Sequence, residues 1–368
     1  MESMLAHKAP SKEGALHLFM VPFSDLHIFR QLRQVKFLVI QTAFIGDVIL
    51  ATAVIEKLHQ SHPSAKIDFL VRKGNEGLLT NHPFINQVLI WNKKEQKIRN
   101  LFKLVLQVRK EKYDVVVNLH RFASSGLVTA LSNAKKTVGY KKNPLSFLFN
   151  ESYDHSLGKP GEKYLHETDR NQMLIRSLTD EEKAAPRLYP QSSDFDKVLP
   201  LKSKPYICIA PASVWYTKQW TIEKWVELIE KLPAEYQVFL LGAPSDRSLC
   251  EQIVQQGGKA DVQSLCGQLS FLESAALMKD ARMNYVNDSA PLHIASAMNA
   301  PVTAVFCSTI PEFGFGPLSQ QSFIIETKEK LPCRPCGLHG KKDCPLHHFN
   351  CAATIETNEV LSTLTHSH

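Results

Sequence analysis

The sequence predicts an α/β protein built from two doubly wound domains. Short apolar runs alternate with helical segments from Lys36 to Leu178, and the same alternation resumes at Tyr206. Runs of this length between helices are typical of parallel strands that are buried on both faces. The chain has 368 residues, more than the roughly 250–300 at which a single core stops growing, so we expect two domains.

Each strand of the first predicted domain is followed by a helical segment or a turn. Apolar runs predict strands at 37–40, 67–71, 87–90, 115–119 and 137–140. Helical periodicity predicts helices at 48–59, within 91–112, after 124–126 and at 166–178. We expect this domain to span 35–185, after an N-terminal extension of residues 1–34.

The second predicted domain repeats the pattern after a linker. Residues 186–204 contain prolines and scattered charge without periodicity, which is typical of a linker. Strands are expected at 206–210, 237–241, 261–265, 283–286 and 302–306, within a domain that spans 205–351. Residues 308–342 carry no helix or strand signal, and a closing helix is expected at 352–363. In two-domain sheet proteins a last segment such as 352–368 can cross back onto the first domain.

The composition predicts a globular protein of the cytoplasm. It is 44% hydrophobic and 21% charged, as in ordinary globular proteins. No apolar run reaches the roughly 18 residues of a membrane span, because Gln41, Thr42 and Asp47 interrupt the most apolar stretch. The first 30 residues lack a cationic region that leads into an apolar one, so they do not predict a signal peptide.

The net charge of +7 is modest but unevenly distributed. Residues 91–112, the basic segment, hold eight Lys and Arg against two Glu. Apolar residues at helical spacing predict an amphipathic helix there, namely Ile98, Leu101, Phe102, Val105 and Val108. Two interpretations stay open: a solvated surface helix docked by its apolar face, or attraction to an anionic membrane or acceptor. Nucleic acid is not expected as a partner, since no nucleic-acid motif accompanies the segment.

Two strand-to-helix junctions carry the most informative polar residues. Asp47 follows the strand 37–40 and opens a helix, and Asp288 with Ser289 follows the strand 283–286 and opens another. Backbone N–H groups and the positive end of the dipole gather at a helix start, which suits a diphosphate. Asp47 is either a cap worth about 1 kcal/mol or a desolvated general base with a raised pKa. A carboxylate in one half and a phosphate pocket in the other indicate group transfer across a cleft.

Three further residues have both a functional and a structural interpretation. Lys218, in a loop before a helix, neutralises a leaving phosphate or is a solvated lysine beside tryptophans. Asp246 accepts hydrogen bonds from ribose hydroxyls or caps a helix, and His293 donates to phosphate or serves structure. The sequence contains no G-x-G-x-x-G, Walker lysine loop, H-E-x-x-H or G-x-S-x-G motif, which disfavours hydride transfer, kinase and hydrolase activities.

Four of the eight cysteines are clustered near the C-terminus. Cys333, Cys336, Cys344 and Cys351 offer four soft ligands, which in a reducing compartment predict a structural zinc site, or thiols that are redox-variable or simply free. The spacing matches no standard zinc finger. The cluster is distant in sequence from the residues above, so a metal there is expected to affect stability before catalysis.

Together these segments resemble the family 9 glycosyltransferases, the ADP-heptose:lipopolysaccharide heptosyltransferases. These have the GT-B architecture, in which two Rossmann-like domains face each other across a cleft. The resemblance runs from Lys36 to about Ser362. It rests on Ile45-Gly46-Asp47, His166-Glu167-Thr168-Asp169-Arg170, residues 211–220 with Thr217-Lys218, 242–246, 287–293, Gly316-Pro317 and the cysteine tail. The family usually has glycine where this chain has Ala290, and commonly also where it has Ala212.

The resemblance implies an inverting transferase that moves heptose from ADP-heptose to the inner core of lipopolysaccharide. Asp47 is then the base that deprotonates an acceptor hydroxyl, and Lys218 is the cation that offsets the leaving diphosphate, so catalysis requires no metal cofactor. The implied donor site consists of Ser213, Thr217, Lys218, Asp246, Asp288, Ser289, Ala290 and His293. Within it, Asp288 lies near the sugar hydroxyls and Asp246 near the ribose.

The implied acceptor is an anionic, lipid-linked core oligosaccharide. It meets the first domain near Arg121, Lys141 and the basic segment, which predicts peripheral contact of a cytoplasmic protein with the inner membrane. Two alternatives stay open. One is a GT-B transferase that uses another nucleotide sugar, and the other is a catalytically silent carbohydrate-binding protein of the same fold.

Overall fold

Two six-stranded parallel sheets form the framework of the protein in the computed structural model. The structure describes residues 34–157, 164–258 and 261–365, and the described residues from Val35 onward belong to one compact unit. The predicted extension 1–34, apart from Gln34, lies outside the described residues. The two sheets confirm the prediction of two doubly wound domains.

The first sheet uses residues 36–153. Its strands are β1 (Lys36–Ile40), β2 (Lys66–Arg72), β3 (Gln87–Trp91), β4 (Val115–Asn118), β5 (Lys136–Tyr140) and β6 (Glu151–Tyr153). They lie in the order β3-β2-β1-β4-β5-β6, and every pairing is parallel. The central strands β1 and β4 are apolar because both of their faces are covered. The sequence does not predict β6, because its three residues are too few to show a pattern.

The second sheet uses residues 206–326. Its strands are β7 (Tyr206–Ala210), β8 (Gln237–Leu240), β9 (Val262–Ser264), β10 (Asn284–Asn287), β11 (Val302–Phe306) and β12 (Ser322–Glu326). They lie in the order β12-β11-β10-β7-β8-β9, again all parallel. The expectation that 308–342 holds no strand was wrong. β12 is an edge strand with mixed burial, so it lacks the continuous apolar run of a central strand.

Eleven α-helices accompany the strands in the described part of the chain. Those before the second sheet are α1 (Ile45–Ser61), α2 (Lys97–Glu111), α3 (Ala123–Ala130), α4 (Glu167–Met173) and α5 (Ser192–Val198). Those that follow are α6 (Ile222–Lys231), α7 (Arg247–Gln256), α8 (Phe271–Lys279), α9 (Ala290–Met298), α10 (Asn350–Ala353) and α11 (Thr357–Ser362). The predicted linker therefore contains a helix, α5, which packs on α8.

The closing segment differs most from its prediction. The single helix expected at 352–363 is two short helices, α10 and α11, and α11 packs on α6 of the second half rather than on the first domain. Val360 is fully buried in the same apolar cluster as Trp225 and Ile229. The hydroxyl of Thr357 donates to the carboxylate of Glu227 at 2.7 Å. The closing segment therefore packs on the apolar surface of the second half, which is nearer in the fold, and does not cross to the first domain.

Strand order places the two predicted functional junctions at equivalent points of the two sheets. Both sheets have the Rossmann order, with the reversal of direction between β1 and β4 in the first and between β7 and β10 in the second. Ligands of such sheets bind beyond the carboxyl ends of the strands at this switch point. Asp47 follows β1, Lys218 follows β7 and Asp288 follows β10. Helices α1 and α9, which begin at these points, pack against each other.

The described residues include no helix that combines the length and the apolar character of a membrane span.

Candidate active site

A cavity of about 290 Å³ lies between the two sheets, where α1 and α9 begin. We call it the cleft cavity. From the first half it is lined by residues 44–47 and Arg72, and from the second by 213–215, Lys218, 288–290, His293, Ile310, Phe313, Phe315 and 338–339. Seven residues predicted from the sequence therefore meet in one place: Asp47, Ser213, Lys218, Asp288, Ser289, Ala290 and His293.

Asp47 combines the two roles that the sequence left open. It is the third residue of α1, and its Oδ2 accepts a hydrogen bond from the backbone N–H of Phe44 at 3.1 Å, so it does cap the helix. Its pKa is raised to about 6, chiefly by burial and also by the nearby Glu167, while the Phe44 hydrogen bond and Arg121 act in the opposite direction. A carboxylate with a pKa near 6 is ionised at neutral pH and is a stronger base than an exposed aspartate.

Lys218 and Asp288 form a shielded ion pair on the opposite wall. The ammonium Nζ lies 2.6 Å from Oδ2 of Asp288, and the two side chains are only 14% and 7% exposed. The hydroxyl of Thr309 donates to the same oxygen at 2.7 Å. Because an ammonium has three donors, Lys218 can keep this contact and still donate to a ligand.

The start of α9, which borders the cleft cavity, carries two unsatisfied polar atoms. Among the described residues, neither Ser289 Oγ nor His293 Nδ1 has a hydrogen-bond partner, although both are buried. Burial lowers the pKa of His293 to about 3, so its imidazole is neutral at physiological pH. Unpaired buried polar atoms are rare in folded proteins and call for an explanation. Beside the positive end of the helix, these two are suited to an anionic ligand.

Two residues of the predicted donor site lie outside the cleft cavity. Thr217 is buried, and its Oγ1 accepts from the backbone N–H of Lys341 at 2.8 Å and from the hydroxyl of Ser308 at 2.9 Å. It therefore holds a loop in place beside Lys218. Asp246 accepts from the backbone N–H of Ala243 at 2.8 Å, which is the capping role that the sequence also allowed.

The cysteine tail lies next to the cleft, contrary to expectation. The segment between Cys336 and Cys344 contributes Leu338 and His339 to the cleft cavity. A Cβ on Gly340 would lie 2.9 Å from Cγ of Lys218, and Gly340 has a φ of 76°, so both space and conformation favour glycine there. Distance in sequence was misleading because this loop folds back onto Thr217 and Lys218, just before α6.

The four clustered cysteines line one cavity of about 280 Å³ together with His348: Cys333, Cys336, Cys344 and Cys351. In the described ranges no group of three His, Cys, Asp or Glu side chains is placed to hold a metal ion. As positioned, the thiols do not fit a tetrahedral metal site. The pKa values of Cys336 and Cys351 are raised, first by burial and then by the neighbouring thiols.

A larger cavity of about 740 Å³ adjoins the cleft on the first half, and we call it the basic cavity. It shares Phe44 and Arg72 with the cleft cavity and is also lined by Lys93 and Lys97. Burial, together with the charges of Arg72 and Lys97, lowers the pKa of Lys93 to about 8. The clustered cations are suited to an anionic group bound within reach of Asp47.

The two predicted acceptor residues have different positions. Arg121 is close enough to Asp47 to lower its pKa, and a guanidinium nitrogen lies 3.4 Å from Nδ1 of His155. Lys141 is exposed, pairs with Asp154 at 2.7 Å and lines neither cavity. The structure thus brings Arg121 near the site and leaves Lys141 apart.

Sequence reasoning missed several residues of the two cavities: Phe44, Arg72, Trp215, Phe313, Phe315, Leu338 and His339 in the cleft, and Trp91, Lys93, Lys97, His120 and Phe122 in the basic cavity. Lys93 and Lys97 belong to the basic segment, which the family resemblance placed near the acceptor without singling out individual residues. Arg72 is the last residue of β2 and His120 lies two residues beyond β4, and the carboxyl end of a strand is a position that predicts ligand contact in a parallel sheet. The aromatic residues carry no comparable signal.

The motif His166-Glu167-Thr168-Asp169-Arg170 joins the two halves beside the cleft. Nε2 of His166 lies 3.1 Å from the carbonyl of Gly316, and Arg170 donates to the carbonyl of Phe313 at 2.9 Å. Gly314, with a φ of 86°, fits because a Cβ there would lie 2.5 Å from the carbonyl oxygen of Leu165. The motif therefore holds the loop that brings Phe313 and Phe315 into the cleft.

Comparison with known proteins identifies the family of this chain. The family model described as glycosyltransferase family 9 (heptosyltransferase) matches residues 101–343. A lipopolysaccharide heptosyltransferase 3 of Escherichia coli is 30% identical over 283 residues, which cover 72% of this chain and 82% of the relative. The chain belongs to glycosyltransferase family 9. This confirms the resemblance seen in the sequence and makes the protein an enzyme of the heptosyltransferase family.

Solved structures show the same fold for this family 9 glycosyltransferase. The family 9 glycosyl transferase of Veillonella parvula superposes with a TM-score of 0.76 at 19% identity, covering 90% of this chain and 97% of that one. The heptosyltransferase WaaC of E. coli, solved with ADP, gives a TM-score of 0.71 at 19% identity and covers 90% and 100%. These similarities confirm the GT-B architecture.

Proposed function

We propose that the protein transfers heptose, with inversion, from ADP-heptose to a hydroxyl of the lipopolysaccharide inner core. The observation that carries the proposal is the pair of opposed walls in the cleft cavity. Asp47, with its raised pKa, stands on one wall, and Lys218 with the start of α9 stands on the other. The family membership and the ADP bound to the structurally similar E. coli WaaC support this choice of donor.

The diphosphate of the donor is proposed to bind at the start of α9. Its charge is offset by the ammonium of Lys218 and by the positive end of the helix. The unpaired Oγ of Ser289 and the neutral imidazole of His293 can each donate one hydrogen bond. This set stabilises the charge that grows on ADP as it leaves, so no metal ion takes part in the proposed step.

Asp47 is proposed to act as the general base. It takes the proton of the acceptor hydroxyl while that oxygen forms a bond to the anomeric carbon of heptose. The bond from the same carbon to the diphosphate oxygen breaks on the opposite face, and ADP leaves with the electron pair. The configuration at the carbon is inverted because attack and departure occur on opposite faces.

The acceptor is proposed to occupy the basic cavity. Arg72, Lys93 and Lys97 line a space large enough for a sugar with an anionic substituent, and Phe44 borders both this space and the cleft. Arg121 adds positive charge near Asp47. A phosphorylated, lipid-anchored core oligosaccharide fits this chemistry, and it requires the enzyme to work in the cytoplasm at the surface of the inner membrane.

The experiment is donor screening with purified protein and a lipopolysaccharide core acceptor that lacks the inner-core heptose. ADP release from ADP-heptose that depends on the acceptor, with heptosylated product by mass spectrometry, supports the proposal. Release from a different nucleotide sugar alone identifies a transferase of other donor specificity. Binding of sugar without turnover of any donor indicates a silent carbohydrate-binding protein. A His293→Ala variant, which keeps Asp47, serves to show that turnover depends on the cleft.

A further inference from the structure

Helix α2 exposes an apolar ridge that no described residue covers. Ile98, Phe102 and Leu106 are 71%, 56% and 60% exposed. Their spacing of four residues puts them on one side of the helix. Packing against the first sheet uses a different side, where Leu104, Val105, Val108 and the partly buried Leu101 lie. Of the two interpretations of the basic segment, docking by the apolar face therefore does not hold for Ile98 and Phe102.

Positive charge flanks the ridge along its whole length. Arg99, Lys103 and Lys110 lie on the adjoining side of α2, and Arg109 continues the line of the ridge by one turn; all four are exposed. Within α2 the only acidic residue is Glu111, at its C-terminal end. An apolar face bordered by Lys and Arg is typical of a helix that lies in the interface of an anionic membrane.

We infer that this face of α2, formed by Ile98, Phe102 and Leu106 with Arg99 and Lys103, docks on an anionic lipid bilayer. Charge complementarity selects the bilayer over a second copy of the chain. A self-associated pair would bring two rows of Lys and Arg together, whereas anionic headgroups neutralise them. The three apolar side chains can enter the boundary between headgroups and acyl chains without moving the buried face of the helix.

The position of the ridge fits the route of a lipid-anchored substrate. Lys97 and Leu101, on the first turns of α2, line the basic cavity, and the cavity also includes Phe122, which is 64% exposed. Docking through α2 therefore places the mouth of the basic cavity at the membrane surface. This orientation rests on the proposed function, while the docking itself rests on the exposed residues alone.

The test is co-sedimentation of the purified full chain with vesicles of phosphatidylethanolamine and phosphatidylglycerol, without donor or acceptor. Vesicles of phosphatidylcholine are the neutral comparison. We expect binding to the anionic vesicles that weakens with salt, and weaker binding to the neutral ones. The Arg99→Gln/Lys103→Gln variant should bind about 30-fold more weakly, which corresponds to about 2 kcal/mol at about 1 kcal/mol per charge. Ile98→Ser/Phe102→Ser/Leu106→Ser should lose most binding.

A matched control changes an exposed apolar residue and an exposed lysine elsewhere, Leu199→Ser with Lys197→Gln. It should bind vesicles like the unmodified protein. Equal vesicle binding by all variants overturns the proposal. It is also overturned if the triple serine variant changes the oligomeric state of the protein but not its vesicle binding. Turnover of a water-soluble acceptor should be unchanged in the α2 variants. Vesicle binding without any heptose transfer leaves the docking surface in place and rejects the proposed function.

Discussion

Gly46 and His293 meet across the cleft at the point where α1 and α9 begin. A Cβ built on Gly46 would lie 2.6 Å from Cδ2 of the His293 imidazole, closer than real Cβ contacts. The first domain therefore limits where the imidazole of the second can lie. Absence of a side chain at position 46 is a condition for the two helices to approach each other.

Gly46→Ala should destabilise the protein by about 1–3 kcal/mol, the usual cost of overpacking, and should weaken ADP binding because His293 is displaced. Thermal unfolding and calorimetry measure the two effects. Gly77→Ala is the control, since its Cβ would lie 3.8 Å from Phe271, an ordinary contact. In a double-mutant cycle with His293→Ala, the glycine change should cost less, because the ring is gone. If the two changes in the free energy of unfolding are strictly additive, the contact with His293 is not what constrains position 46.

Asp47→Asn should lower turnover by roughly 10²–10⁴ and leave ADP affinity nearly unchanged. The amide oxygen can still accept the hydrogen bond from Phe44, so a residue that served only as a cap would tolerate the change. Burial raises the pKa of Asp47, so above about pH 6 the folded state carries an ionised group that it disfavours. We therefore expect an equal or higher Tm for Asp47→Asn at pH 7.5. Near-full activity of the variant would reduce Asp47 to a cap.

The pH dependence should follow the pKa of Asp47. The base must be deprotonated, so kcat/KM should fall as the pH drops through about 6. Arg121 lowers the pKa of Asp47, and Arg121→Gln should therefore move this limb to higher pH. A phosphate on the acceptor also titrates near pH 6, so the profile is measured with an acceptor that carries no phosphate. If the acidic limb of the kcat/KM profile is unchanged in Arg121→Gln, the titrating group is not Asp47.

Lys218→Ala should weaken ADP binding by about 10- to 100-fold, the value of one charge-assisted hydrogen bond of about 1.5–3 kcal/mol. Turnover should fall as well, because the cation serves both bound ADP and the transition state. The variant also leaves the carboxylate of Asp288, which is 7% exposed, without its cation beside the diphosphate. Lys218→Ala/Asp288→Asn should therefore recover part of the affinity. Unaltered affinity and turnover in Lys218→Ala would remove Lys218 from the site.

The cysteine tail remains a proposed structural zinc site, which requires the four thiols to converge from their positions in the structure. We expect about one zinc per chain, and chelation should lower Tm because metal binding is coupled to folding. It should also weaken ADP binding, since the loop supplies Leu338 and His339 to the cleft. Cys336→Ser should reproduce both effects, and Cys208→Ser, at a buried cysteine outside the cluster, should not affect metal content. Elemental analysis without stoichiometric metal would identify the cluster as free thiols.

The sequence by itself determined the doubly wound fold and the main residues of the cleft. Buried parallel strands are continuous apolar runs, which are visible without knowledge of their neighbours. In such sheets the loops after the central strands meet at one edge, so Asp47, Lys218 and Asp288 could be predicted to converge before the structure was known. The sequence around these residues also indicated structural roles as alternatives. The capping roles of Asp47 and Asp246, which the structure shows, were among these alternatives.

Only the tertiary structure decided what covers and surrounds those residues. Contacts such as His166 with Gly316 join positions 150 apart and leave no periodic signal in the sequence. The fold-back of the cysteine loop onto Lys218, the packing of α11 on α6 and the exposure of Ile98 and Phe102 depend on which surfaces are already occupied. Helical periodicity identifies apolar side chains on a helix, but the space left by neighbouring elements decides which of them are buried.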